Sequence, residues 1–327
     1  MVIALAHIED GRTMSENPPG TPRPDDFPDR PPGYVPEGAY PFPPQPAMPG
    51  GYPAYHPMPP DPLVSPTFGG WWTRSFTLVR DLWRPMALVQ LISVVSFVVI
   101  GLAFAFILGN RLADLSTTTE PTAAQWRYIL AGVLILLPII TGAWLLSLVV
   151  DLATTQLLVQ RVTGQPVSIG AALQTGLRRA PALIGWGLLG GLATLAGLVF
   201  CILPGIYIAA VLYILPVVVL LERGNAVTRC FELFHAKFGV AVSRIATIAG
   251  LALGFLIVEQ AMTAVLAPGS SPFGGTDQST YATAMSVALT AVFSIARGVV
   301  FAPMRLAAYA DMRARHEQFS TAYLAAA

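Results

Sequence analysis

From Ala180 to Leu221 the chain runs for 42 residues without one Asp, Glu, Lys or Arg. A stretch that long has no polar face to turn toward water, which excludes an ordinary surface helix or strand. Crossing ~30 Å of hydrocarbon at ~1.5 Å per residue takes about 20 residues, so the run suffices for two crossings. Pro204-Gly205 near its centre marks where a helix has to stop, dividing it into spans 181–203 and 205–221. Similar apolar runs occupy 86–108, 128–150, 245–266 and 281–301. The sequence therefore predicts an all-α integral membrane protein with six transmembrane helices over residues 68–318. Composition agrees: 54% of the 327 residues are hydrophobic and 11% charged, against roughly 25% charged in soluble chains. A soluble enzyme and a coiled coil are excluded. A net charge of +1 supplies no field for a polyanion, so no nucleic-acid partner is expected.

Loop charges test the span count independently. Arg74, Arg80 and Arg84 precede the first span, and Arg161, Arg178 and Arg179 lie between the second and third. Arg223, Arg229, Lys237 and Arg244 separate the fourth from the fifth, and Arg305, Arg313 and Arg315 follow the sixth. These thirteen fall on one side of the membrane, and only Arg111 and Arg127 fall on the other. By the positive-inside rule both termini are cytoplasmic, in a multi-pass protein of the cell (inner or plasma) membrane. Cys201 then lies near the outer face and Cys230 near the inner, too far apart for a disulfide.

Residues 1–67 have a different composition. Nineteen of the 29 prolines fall between Met14 and Pro66, where neither helix nor sheet can propagate and little apolar area offsets ordering entropy. This predicts a disordered, polyproline-II-biased tail. Tyr34, Tyr40, Tyr52 and Tyr55 suit a protein partner with an aromatic groove; a solvated spacer is the plainer reading. Residues 1–13 lack the basic n-region and small-residue cleavage site of a signal peptide, and Met14, from which the sequence opens directly into the tail's composition, is expected to be the true start. Residues 319–327 read as a short C-terminal tail.

Three basic amphipathic segments flank spans. Phe68, Trp71, Trp72, Phe76, Val79 and Trp83 recur at roughly helical spacing among arginines. Ser168 is an N-cap for Ile169, Leu173 and Leu177, and Val227, Phe231, Phe234 and Phe238 form a third stripe. Such helices rest in the interface, with Arg74, Arg80, Arg84, Arg178, Arg179, Arg229 and Lys237 toward anionic headgroups of the bilayer. Arg74-Ser75-Phe76-Thr77-Leu78 parallels Arg229-Cys230-Phe231-Glu232-Leu233, with Trp83 and Phe238 following at equal spacing. This suggests a threefold repeat of interfacial helix and two-helix hairpin; coincidence is the alternative for so short a match.

Within the spans, Gly187 with Gly191 and Gly250 with Gly254 offer small-residue faces for helix packing. Pro138 and Pro216 are expected to kink their helices. Charge in hydrocarbon is costly and often functional, which makes Glu259, Arg297 and Asp151 the candidate functional residues. Counted from the span ends, the depths of Glu259 and Arg297 differ by about 15 Å, too far for an ion pair. Glu259 is then expected at an outer cavity or the interface, and Arg297 to snorkel inward. Asp151 is expected to pair with Arg161 or a basic interfacial segment. His7, His56, His235 and His316 form no metal-ligand spacing, so no catalytic residues, cofactor or metal are expected.

Several motifs occur in a consistent order: Gly164-Gln165-Pro166-Val167-Ser168, Leu177-Arg178-Arg179-Ala180-Pro181, Leu203-Pro204-Gly205-Ile206, and Pro216 leading to Leu221-Glu222-Arg223. The ending Tyr309-Ala310-Asp311-Met312-Arg313-Ala314-Arg315-His316-Glu317 has the form Tyr-x-Asp-x-Arg-x-Arg-x-Glu. Together they resemble the glycerophosphoryl diester phosphodiesterase membrane-domain family over roughly residues 68–317, and 18 Arg against one Lys suggest a high-GC actinobacterial member. The resemblance implies an integral membrane protein. The phosphodiesterase reaction does not carry over, since a catalytic barrel of ~250 residues has no room outside the spans.

Three function classes follow. The first is a non-catalytic membrane scaffold or accessory protein whose tail recruits partners. The second is a transporter or lipid-handling protein with Glu259 in a polar cavity. The third, a lipid-modifying membrane enzyme, lacks a nameable nucleophile–base set.

Overall fold

The computed structural model describes residues 61–104, 122–267 and 280–325. The expected disorder of residues 1–60 and the position of Arg111 lie outside the described residues. Within them the chain is helical, with no strand. The helices are α1 (Phe68–Phe104), α2 (Ala123–Val162), α3 (Ile169–Phe200), α4 (Ile202–Leu212), α5 (Leu215–Leu221), α6 (Ala226–Ala236), α7 (Phe238–Leu266) and α8 (Thr280–His316). A 3₁₀ turn, Thr321–Ala325, follows. Six segments are long and apolar enough to cross a membrane, with α4 and α5 together forming the fourth. The chain is a multi-pass, all-α membrane protein.

Local chemistry sets the helix ends. Thr122 and Gln125 form a reciprocal capping box at the start of α2. Ser168 caps α3 through the Ala171 amide, as its position predicts, and Asn225 caps α6 through Thr228. Gly164, at φ +73°, turns the chain between α2 and α3. The expected break at Pro204-Gly205 falls earlier, at Cys201, the single residue between α3 and α4. Pro204 sits in the first turn of α4, where its missing N–H has no intrahelical partner to lose. Pro216 likewise lies in the first turn of α5 rather than kinking a continuous span.

The interfacial helices differ from expectation. Residues 68–84 continue through Pro85 into α1, and residues 169–179 continue through Pro181 into α3. The carbonyls these prolines leave free belong to Asp81 and Leu177, both exposed at the arginine-rich end, so neither break is enforced. At 37 and 40 residues, α1 and α2 reach ~55–60 Å, nearly twice the hydrocarbon thickness. Only the third segment stands apart as α6. Its buried face is Ala226, Cys230, Leu233 and Phe234. Tyr207 of α4 meets Phe234 edge-on at 6.0 Å and Phe231 at 6.3 Å. Of the stripe, Phe234 is buried and Val227 and Phe231 are half-buried against the rest of the chain, while Phe238 is exposed. The two paralleled stretches do bury the same positions, Ser75 with Leu78 and Cys230 with Leu233.

The tail boundary also shifts. Residues 61–67 are packed: Leu63 is wholly buried and Ser65 nearly so. The C-terminal residues join them, with Thr321 and Leu324 buried.

Helices approach closely at glycines other than those expected. A Cβ on Gly176 would lie 2.6 Å from the Val149 carbonyl, and one on Gly197 3.0 Å from Gly205 Cα. One on Gly298 would lie 2.3 Å from the Gln90 side chain. Nothing lies within 4 Å of a Cβ on Gly187, Gly191, Gly250 or Gly254, so among the described residues no helix comes within contact distance of these four. Spacing alone marks a small face but not which way it points.

The tight core gathers at the arginine-rich half of the bundle: Leu78 to Val89, Val149 to Val159, Leu215 and Val217 to Leu220 of α5, and Val299 to Met312. The opposite half exposes Leu88 to Val99, Leu130 to Ile140 and Leu188 to Leu203, the apolar surface that lipid covers. Gly176→Ala is expected to lower unfolding stability by about 1–3 kcal/mol through backbone displacement. Gly187→Ala and Gly250→Ala are expected to be neutral or slightly stabilising. Thermal unfolding in one detergent distinguishes these outcomes.

Candidate functional site

The last helix, α8, organises the charged groups. Its Arg297 pairs with Glu259 of α7 at 3.0 Å and reaches Ser294 Oγ at 3.2 Å. The expected separation of these two is therefore wrong, because it took the helix ends as level. Leu266 ends α7 seven residues past Glu259, whereas Thr280 begins α8 seventeen residues before Arg297. The ten-residue overhang is ~15 Å, the offset that had seemed to separate them. A second pair fixes the same antiparallel register: Arg244 of α7 donates to Asp311 at 2.7 Å. Arg244 lies fifteen residues before Glu259, and Asp311 fourteen after Arg297.

Asp151 pairs with Arg305 of α8 at 2.5 Å instead of Arg161, which reaches Asp81 at 2.9 Å across an exposed surface. One turn beyond Asp151, Thr154 accepts from Gln90 Nε2 at 3.2 Å, beside Gly298. The three pairs thus tie α8 to α7 twice and to α2 once. Arg244 and Asp311 are almost wholly buried, and the Trp71 ring lies 5.6 Å from the guanidinium.

Alternate residues of the C-terminal motif each find a partner. Tyr309 donates to Glu222 at 2.5 Å, and Asp311 accepts from the Ser65 amide at 2.6 Å. Arg313 donates to Tyr309 Oη at 2.9 Å and pairs with Glu317. Arg315 donates to the Pro66 carbonyl at 3.2 Å, and Glu317 meets Arg229 at 3.0 Å. The motif is a strip that ties α8 to α5, α6, α7 and the segment before α1. Of this network the sequence flagged the motif but not its partners.

Arg229, expected at lipid headgroups, is engaged by Glu222, Glu232 and Glu317. Burial opposes its charge, but Glu222 and Glu317 hold its pKa above the ordinary range. Burial, with Glu222, pushes the Cys230 thiol up to about 12. Beside these groups a cleft of ≈ 240 Å³ is lined by Glu222, Arg223, Asn225, Thr228 and Glu232 among others. Arg80, Arg84, Arg178 and Lys237 are exposed, and Arg74 and Arg179 half-buried. His235 holds the Phe231 carbonyl through Nδ1 and Tyr207 Oη through Nε2. No group of three or more His, Cys, Asp or Glu that could hold a metal occurs among the described residues.

Asp61 clasps the two ends of the described chain. It accepts from the Thr321 amide at 2.7 Å, the Thr321 hydroxyl, and Ser320 Oγ at 3.2 Å. Leu63 and Val64 amides, each at 2.9 Å, complete its set. Partial burial opposes its charge, but the bonds from Thr321, Val64 and Leu63 outweigh it and hold the carboxyl below its ordinary 3.8.

The fold and these pairs define the class: a multi-pass helical membrane protein whose bundle is cross-linked by ion pairs from its last helix. No family model, curated protein or solved structure matches the chain.

Two predictions follow from these contacts. Arg244→Met strands Asp311 and is expected to cost about 3–5 kcal/mol of unfolding free energy, part of which Arg244→Met/Asp311→Leu recovers; a double-mutant cycle measures the coupling. Because the folded pKa of Asp61 is lowered, its stabilisation is complete above the ordinary value and is lost as pH falls through the folded one. Hydrogen exchange at the Thr321 amide is expected to stay protected at pH 5 and to open only below the ordinary carboxylate value.

Proposed function

We propose that the protein is a non-catalytic scaffold or accessory protein of the cell membrane, with both termini cytoplasmic and its Pro-rich N-terminal segment recruiting protein partners. The observation that carries this reading is the root of that segment. Asp61 and Ser65 are bonded to Thr321 and Asp311, so the chain leaves the bundle from a fixed point at its arginine-rich end. The ion pairs support the same reading, since Asp151, Glu259, Arg297 and Arg305 hold helices together. The exposed Arg80, Arg84 and Arg178 suit anionic headgroups at that face. Membership of the glycerophosphoryl diester phosphodiesterase membrane-domain family belongs to the same proposal, supported by the order of the motifs.

One observation favours transport or lipid handling instead: the Arg297 side chain is 32% exposed while Glu259 is 6%, which leaves one end of that pair open to a ligand.

Affinity capture from native membranes with the full chain and with residues 14–57 deleted tests the recruiting role. The deletion spares the packed residues from Asp61 onward. The full chain is expected to retain cytoplasmic partners that the deleted chain loses, and identical partner sets from both remove the proposal.

A further inference from the structure

One amide is turned toward hydrocarbon. Gln260 is exposed on α7, six residues, or ~9 Å, before Leu266 ends the helix at the end remote from the arginines. Leu253, Ile257, Val258 and Val265 around it are exposed apolar surface. Acyl chains offer an amide neither donor nor acceptor, so leaving it among them is costly. Its neighbour Glu259 meets that demand within the chain by pairing with Arg297. Gln90, the other amide in the described part of the apolar runs, is tied to Thr154 at 3.2 Å. The Gln260 side chain meets no partner among the described residues.

The amide belongs to a seam with a definite period. Ala246, Gly250, Leu253, Ile257, Gln260 and Ala264 are all exposed, and the steps between them alternate between four and three residues. A 3.5-residue period is the one along which two helices pack at a shallow angle, and a single amide within it sets register and partner number. The seam is not spent inside the chain. The buried residues of α7, namely Ala241, Arg244, Ile245, Ile248 and Glu259, occupy its opposite flank, where Phe255 also meets Phe293 of α8 at 6.3 Å.

The surroundings limit what can cover the seam. Glu259 and Arg297 already cancel, so a charged occupant would bring an unbalanced charge into hydrocarbon. A neutral group that both donates and accepts is required, at the depth of Gln260. A second copy meets both conditions by symmetry. Inserted in the same membrane with the same orientation, it carries its own Gln260 at the same depth, and each amide can donate to the other.

We propose that the chain forms a two-fold symmetric dimer in the membrane, with the α7 seam packed against the same seam of a second copy and the two Gln260 amides bonded across the axis.

Cys201 is exposed and Cys230 buried, so full-length protein is labelled at Cys201 with donor or acceptor dye, reconstituted in phosphatidylcholine vesicles and diluted with lipid. Energy transfer then gives the dimer fraction. Gln260→Leu is expected to raise the dissociation constant about tenfold, and Gln260→Asn, which keeps an amide, to raise it less. In a Cys201→Ser background, oxidation is expected to cross-link Gln260→Cys and to spare Val258→Cys, which lies on the other side of α7. Both positions are exposed, so neither exchange disturbs the core. A monomer at every dilution overturns the dimer, as does unchanged association of Gln260→Leu. Equal cross-linking through Val258→Cys overturns this seam even where a dimer persists.

Discussion

A charge enclosed by apolar side chains must find an opposite charge or leave the fold. The last helix meets that demand three times, with Arg297, Arg305 and Asp311, and its partners sit on two other helices. Apolar contact between transmembrane helices discriminates weakly among registers, because lipid solvates a leucine as well as a neighbouring helix does. Ion pairs discriminate strongly. A slide of one turn between α7 and α8 would break Arg244–Asp311 and Arg297–Glu259 together, so the two pairs act as one register mark. The glycine contacts then become possible: Gly298 admits Gln90, and Gly176 admits the α2 backbone.

The sequence disclosed what depends on one segment at a time. Length and apolarity located all six spans, and Ser168 announced its cap before α3. What depends on two segments at once stayed hidden. Glu259 and Arg297 seemed too distant because the stagger of α7 and α8 is set by residues on both helices. The sequence offers Asp151 either Arg161 or a basic interfacial segment, whereas its partner, Arg305, lies 154 residues away on α8. The glycines are a further case, since Gly187 and Gly250 have the right spacing yet meet no helix among the described residues, whereas Gly176 and Gly197 have partners that no spacing rule names. Composition alone places the tail boundary at residue 67. Leu63 and Ser65 are too few to alter an average, yet each fits a buried place.

The bundle is unequal along its length. At the arginine-rich end, helices outlast the hydrocarbon and a dense core surrounds the charges; toward the other end, leucine and valine face outward and helix contacts thin. Stability is thereby concentrated where the chain also carries its polar network. The lipid-facing half, with fewer enclosed side chains, tolerates substitution among apolar residues far better than the core around Val217 and Ala308 does.

The clasp of Asp61 on Thr321 changes how force would travel through the molecule. Tension on the N-terminal segment does not peel α1 away from its neighbours one turn at a time. Through Ser65 and Asp61 it is shared with the helix farthest along the chain, which is also the one most firmly tethered inside the bundle. A pull at the beginning of the polypeptide is thus borne by its end.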